Sequence, residues 1–317
     1  MAGDLGARAG VVVVNFRSSH HVAKLLASLS QEQLAGITVW DNYSGEQEVL
    51  DIRAVCHGQS GVELIESPSN IGFGAAVNQA VERLRARCSI DWVWILNPDL
   101  VIAPGSLDIL IRAADFYHCA IVSPLILNAR DDTIWYSGGR LDKRRGRSIH
   151  SRMGQHFSDQ DLVPFDYVDF VSGAAPLVKL DEWERVGGFD EHLFLYCEDA
   201  ELSMRLSAAG MNQGVARAAL ARHAEGGSSG GGAAKSPTFY YYVQRNRLLV
   251  YPKQQHKLRF LLGAGFEETL RLYFNALRHV DSNTCARLLA CTSGLVDGIR
   301  GRSGERQWAG RRDVTSR

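Results

Sequence analysis

Three observations predict an α/β fold with a mostly parallel sheet flanked by helices. Short apolar runs alternate with helix-period segments over residues 11–124, the order that places crossover helices on both faces of a sheet. The runs are continuous rather than alternating, as in VVVV at 11–14 and WVWIL at 92–96, so both faces of those strands are buried. The second run ends in Asn97-Pro98-Asp99. Pro98 cannot donate to a ladder, so the strand stops and presents the Asp99 carboxylate at its C-terminal edge, where open α/β sheets bind ligands.

Element by element, Val11–Phe16 reads as the first strand. A helix over Val22–Leu29 follows, with apolar residues at 22, 25, 26 and 29. Ile37–Trp40 is a strand ending in Asp41, and Val62–Ile65 a third. Ile71–Leu84 is helical, with Val77, Val81 and Leu84 on one face. Trp92–Leu96 is a strand, Leu107–Ala114 a helix and Ala120–Ser123 a fifth strand.

Beyond residue 125 the pattern changes. Residues 139–165 are polar and basic without a period and read as a mobile loop. Six Lys/Arg lie in 140–152 against one acid, Asp142: a solvated loop, or a basic rim near an anionic substrate. Phe165–Leu180 is strand-like around Ser172-Gly173-Ala174. Asp199–Ala209 is a short helix stopped by Gly210. The run Gly226–Gly232 has high backbone freedom and reads as a linker or as part of a lid over 224–236. Residues 239–296 are mostly helical. The chain is thus expected to divide into 1–236 and a helical region, 237–317, packed on it, with a frayed basic tail. The apolar positions of 257–280, mixed with arginines, are expected to pack on their own domain rather than lie in a membrane interface.

Composition bounds the function. The 317 residues are 45% hydrophobic, enough for a substantial core, and 35 basic residues balance 35 acidic ones, which argues against a general nucleic-acid binder. Six scattered cysteines form no CxxC pair and suit a reduced, cytoplasmic setting. Neither a signal peptide nor a transmembrane run is expected.

Four constellations bear on chemistry. Asp41-Asn42-Tyr43-Ser44 follows the second strand; its carboxylate suits a base N–H or a helix cap. Asn70-Ile71-Gly72-Phe73-Gly74 with Asn78 opens a helix; the glycines permit either close phosphate approach or close packing. Asn97-Pro98-Asp99 offers one carboxylate, which suits Mg²⁺ completed by water and substrate phosphate, or a turn. Glu198-Asp199 enters a helix, where acids serve the dipole or act as a general base. No GxxxxGK[ST] or complete GxGxxG is present.

Taken in order, NIGFGAAVNQ, WILNPD, SGA at 172–174, GGFDEHLFLYCEDAELSMRL and RNR at 245–247 resemble the inverting family 2 glycosyltransferases, and rhamnosyltransferase-like members most closely. The resemblance covers roughly residues 10–250. It implies a GT-A fold, that is, a Rossmann-like, mostly parallel central sheet with a C-terminal helical extension. It also implies a nucleoside diphosphate sugar donor, best dTDP-L-rhamnose and then a UDP-sugar. By the same resemblance Asp41 would contact the pyrimidine. Asn15, Asn70, Gly72, Gly74, Asn78 and Asn97 would shape the nucleotide site, with Arg245 and Arg247 reaching the diphosphate. Asp99 would be the second acid of a DXD-type motif whose first position is Asn97, and His223 would join it at Mg²⁺ or Mn²⁺. Asp199 would be the base and Glu198 its orienting acid. The implied acceptor is a glycan, a lipid-linked saccharide or a small natural product. The expected location is cytoplasmic, with peripheral contact at the inner face of the membrane and a homodimer left open. A nucleotidyltransferase would want a glycine-rich basic loop after the first strand, and Asn15-Phe16-Arg17-Ser18-Ser19 lacks the glycine. A non-catalytic nucleotide-sugar binder is the other alternative, should Asn97 abolish metal use.

Overall fold

The computed structural model describes residues 9–158, 163–224, 235–252, 256–278 and 280–306. Its centre is a ten-stranded sheet. Strands β1 (Ala9–Asn15), β2 (Gly36–Asp41), β3 (Val62–Glu66) and β4 (Trp92–Leu96) are parallel, in the order β3-β2-β1-β4. Helices α1 (Ser19–Ser28), α2 (Glu46–Cys56) and α3 (Phe73–Arg87) connect them. Successive residues of β1 feed opposite cores: Val11 and Val13 pack with Leu25, Ile52 and Trp94 on one face, Val12 and Val14 with Val77, Val81 and Ile95 on the other. The continuous apolar runs are therefore strands buried on both faces, as the sequence predicts.

The sheet then turns mixed. After β5 (Leu100–Ile102), α4 (Ser106–Phe116), β6 (Cys119–Asn128) and β7 (Ile134–Tyr136), β11 (Leu177–Lys179) inserts antiparallel between β4 and β6. The strand β12 (Asn212–His223) runs parallel to β6, and β10 (Phe165–Tyr167) edges it. The Phe165–Leu180 segment is thus two short strands, and Ser172-Gly173-Ala174 is a turn between them. The expected loop at 139–165 is corrected too: its first part is a hairpin, β8 (Gly139–Asp142) and β9 (Arg147–His150). Its turn closes through Gly146 N donating to the Asp142 carbonyl at 2.8 Å, with Gly146 at φ +71°. Two four-residue strands with five arginines and lysines across the hairpin leave no period to read.

Helix α5 (Leu180–Val186) leads to α6 (Glu198–Ala208). The C-terminal helices are α7 (Pro237–Val250), α8 (Lys257–Leu261), α9 (Ala264–Leu277) and α10 (Thr284–Arg300). Ser236 caps α7, accepting from Phe239 N at 3.2 Å, with Pro237 in the first turn. No described helix is long and apolar enough to cross a membrane. The cysteines among the described residues are free thiols, with Cys56, Cys119 and Cys291 buried. The Gly226–Gly232 run and the tail from 307 lie outside the described residues.

Candidate active site

The C-terminal edge of β1, β2 and β4 gathers the residues singled out in the sequence. At the end of β2, Asp41 is fully buried and held by its neighbours. Asn15 Nδ2 donates to its Oδ1 at 2.8 Å, and Ser44 donates through its hydroxyl to Oδ1 and through its amide to Oδ2. Asn42 bridges onward, donating to Asn70 Oδ1 at 3.0 Å and to the Gly72 carbonyl at 3.2 Å. Asn15, Asp41 and Asn70 thus belong to one hydrogen-bonded shelf.

Gly72, at φ +89°, lies against the loop that precedes α6: a Cβ there would sit 2.5 Å from the Phe194 carbonyl oxygen. Gly74 lies against Phe189 in the same way, at 3.1 Å from its Cβ. Asn78 accepts from Phe189 N and donates to Phe189 O, both at 2.9 Å. Through Gly72, Gly74 and Asn78 the Gly188–Phe194 loop packs closely against the start of α3.

Past β4, Asn97 N donates to the Ala174 carbonyl at 2.8 Å, and Gly173 N donates to Asp199 Oδ2 at 3.1 Å. The 172–174 turn therefore joins the Asn97-Pro98-Asp99 segment to the Glu198-Asp199 pair. The pairing of β12 with β5 sets His223 opposite Leu100, which brings its Nε2 to 3.5 Å from Asp99 Oδ2. His223 Nδ1 lies 3.1 Å from the Ala224 carbonyl. A carbonyl only accepts, so Nδ1–H donates there and Nε2 is the ring atom that faces the Asp99 carboxylate. Trp135 stacks on the His223 ring at 4.7 Å between centroids.

Asp199 and Glu198 open α6 after a strained approach: Phe194, Tyr196 and Cys197 all adopt positive φ, at a cost of about 1–3 kcal/mol each that surrounding contacts must hold. Asn246 holds them. Its Nδ2 lies 2.8–2.9 Å from the carbonyls of Leu193, Leu195 and Tyr196. Burial raises the Asp199 carboxyl above the usual range, against amide donation from Gly173 and Ala200. Glu198, 8% exposed, is pushed up to about 8 by burial and by the neighbouring Asp199 charge. Both carboxyls therefore ionise less readily than exposed ones, and Glu198 keeps its proton through neutral pH.

The two arginines of RNR, expected at the diphosphate, are engaged by protein groups. Arg245 is buried and donates to the Leu193 carbonyl at 2.8 Å and the Gly304 carbonyl at 2.6 Å. Arg247 is equally buried, donates to Thr269 and to the Arg145 carbonyl, and is lowered to about 10 by burial. Arg245 thus ties α7 to the loop before α6, and Arg247 ties it to the β8–β9 hairpin.

Sequence reasoning missed three residues here. Asn246 sits inside a quoted motif, and a polar run within the apolar helix YYYVQRNRLLV was the available signal. His150 on β9 donates from Nδ1 to the Trp135 carbonyl at 3.1 Å. Burial lowers its pKa against the pull of Asp199, so a neutral imidazole sits beside the candidate base. His21, on the first turn of α1, feels both Asp99 and His223. Nothing in the local sequence marks either histidine.

The chain matches the family described as Glycosyl transferase family 2 over residues 10–177. It is 30% identical over 220 residues to the N-acetylglucosaminyl-diphospho-decaprenol L-rhamnosyltransferase of Mycobacterium tuberculosis, covering 63% of this chain and 70% of that one. It is 25% identical over 209 residues to the rhamnosyltransferase WbbL of Escherichia coli, covering 63% and 77%. Among solved structures, S. aureus TarS 1-349 superposes with a TM-score of 0.54 at 14% identity, over 92% of this chain and 81% of that one. GalNAc-T7 with UDP, GalNAc and Mn²⁺ gives 0.53 at 15%, over 92% and 56%. These two show the shared GT-A fold. The sheet, the family match and the named relatives agree: the chain belongs to glycosyl transferase family 2 and is a hexosyltransferase-type enzyme.

Proposed function

We propose that this enzyme transfers a sugar, L-rhamnose from its dTDP donor before a UDP-sugar, to an acceptor hydroxyl by a single inverting displacement. The observation that carries the reading is the 172–174 turn, which ties the Asp99 segment to Asp199. The donor preference rests on the two rhamnosyltransferase relatives. The decaprenol-linked substrate in the name of the first favours a lipid-linked saccharide acceptor over a free glycan or a small natural product.

Asp199 takes the proton of the acceptor oxygen as that oxygen attacks the anomeric carbon from the face opposite the diphosphate. Glu198, held neutral by burial, adds no second charge beside that base. The shelf of Asn15, Asp41 and Asn70 borders the nucleotide. Asp99 and His223 would hold Mg²⁺ or Mn²⁺. The donor set fits an ion that completes its shell with water and phosphate oxygens, since among the described residues no cluster of three or more His, Cys, Asp or Glu is arranged to hold one alone. When bound, the ion supplies charge neutralisation for the departing diphosphate.

The test is a transfer assay with dTDP-L-rhamnose, UDP-sugars and a diphosphate-linked N-acetylglucosamine acceptor, with product anomeric configuration read by NMR. Inversion with the rhamnosyl donor supports the reading. Retention, or turnover with UDP-sugars alone, overturns the mechanism or the donor assignment respectively.

A further inference from the structure

We infer that the outer face of α8–α9, with the basic tip of the β8–β9 hairpin beside it, docks this protein on an anionic lipid surface. The sequence reading expects the apolar residues of 257–280 to pack inward. The structure divides them. Leu272 and Ala276 do pack inward, with Gly265 and Thr269. Leu258, Leu262, Phe266, Leu270, Phe274 and Leu277 face solvent, with Leu262 89% and Phe274 67% exposed. Residues 266, 270, 274 and 277 recur at helical spacing and form one stripe. Single exposed apolar side chains are ordinary, but a contiguous stripe marks an interaction surface.

Charge names the occupant. Both acids of α9 are neutralised: Glu267 by Arg145 at 2.7 Å, Glu268 by Arg147 and Arg271. The Arg145–Glu267 pair draws the hairpin tip onto α9, and Phe260 lies against Gly146. Lys143 and Arg144 stand exposed on that tip, and Arg259 and Arg278 are exposed on the helices. An apolar stripe with a positive rim fits the headgroup boundary of an anionic bilayer. A second copy of this chain, meeting the face by two-fold symmetry, would set positive rim near positive rim.

The placement serves the chemistry. Strand β9 has four residues, so about 13 Å of extended chain separates the hairpin tip from His150 beside Asp199. An acceptor diphosphate anchored in that surface is within reach of the base. The inference deepens the lipid-linked acceptor reading and rests on it for its purpose, though not for its binding.

The experiment is co-sedimentation of the full chain with vesicles of phosphatidylcholine mixed with phosphatidylglycerol, and with phosphatidylcholine alone. The expected result is partition into the anionic vesicles that falls with salt, and falls at least ~10-fold in Phe266→Ser/Phe274→Ser and in Lys143→Glu/Arg144→Glu. Circular dichroism and transfer to a soluble acceptor stay unchanged in both variants, because the side chains are exposed and outside the site. No partition of the parent chain, or partition that the variants leave intact, overturns the inference. So does a dimer that the phenylalanine variant dissociates without any vesicle binding by the parent, which would assign the face to a second copy. Loss of transfer to every acceptor with vesicle binding intact would instead strike the proposed function.

Discussion

The Gly173 amide donates to Asp199 Oδ2 at 3.1 Å, so the candidate base is anchored by the turn that also receives the Asn97 amide through Ala174. That bond fixes one carboxylate oxygen and leaves the other at the helix entry, where Ala200 N donates to it at 2.8 Å. Both bonds survive replacement of the carboxylate by an amide only in part, since an amide offers one acceptor oxygen. Asp199→Asn is therefore expected to keep donor binding and lose transfer by roughly 100-fold or more. Thermal shift with the nucleoside diphosphate sugar and a radiolabel transfer assay separate the two quantities. Unchanged turnover removes Asp199 from the role.

The raised carboxyl of Asp199 also sets a pH dependence. A base works only when deprotonated, and burial holds Asp199 protonated to higher pH than an exposed aspartate. Transfer is expected to rise with pH along an acid limb above the ordinary carboxylate range, and kcat/KM against pH measures it. An acid limb at the pKa of a free aspartate would show that the buried pair does not govern the rate.

The pair His223 and Asp99, 3.5 Å apart, gives a prediction for metal removal. With His223 Nε2 and the Asp99 carboxylate as the proposed ligands, chelation of divalent metal is expected to lower transfer, and Mn²⁺ or Mg²⁺ to restore it. His223→Ala is expected to weaken the metal requirement's affinity by roughly 10–100-fold, read as a shift in the metal concentration giving half-maximal rate. Full activity in chelator would set the pair aside as structural.

How much of this was legible in the sequence follows from which physics each element depends on. The strands at 11–14 and 92–96 announce themselves, because burial on both faces demands apolar side chains at every position. The strand β12 does not. Its sequence, NQGVARAALARH, is rich in alanine and carries two arginines. Local propensity there points away from a strand, and pairing with β5, β6 and β10 makes it one. His223 was therefore placed by resemblance, not by reading β12. The bonds of Arg245 and Arg247 were not legible, because sequence cannot show that backbone carbonyls 50 or 100 residues away accept from them. The same long-range accounting hid Asn246, whose three carbonyl partners lie about fifty residues upstream.

Asn246 carries the next prediction. It is fully buried, and its amide is the polar partner shared by three carbonyls of the strained 193–196 loop. Asn246→Leu keeps the volume and removes this donor from the loop carbonyls, although Leu193 O keeps its bond from Arg245, at about 1–3 kcal/mol for each acceptor left unsatisfied. The expected result is a loss of about 2–5 kcal/mol in urea unfolding, with kcat reduced because the approach to Glu198 loosens. Asn246→Asp is expected to be worse, since it turns acceptor toward acceptor. A change within experimental error in both variants would show that other contacts hold the loop.

Glu198 gives a prediction about stability. Its folded pKa of about 8 lies above the ordinary 4.5, so the folded protein binds this proton more tightly than the unfolded chain does. Stability from this group is fully present below about 4.5 and is lost as pH rises through about 8. Glu198→Gln removes the ionisation while keeping the shape, so its urea midpoint is expected to fall less than the parent's as pH climbs through that window. Its Oε2 is buried without a hydrogen-bond partner, which makes the charged form costly and the amide tolerable. At the alkaline end the variant should be the more stable protein. If instead the parent gains stability relative to Glu198→Gln as pH rises, Glu198 is ionised in the native state, and the charge assignment within the pair must be reversed.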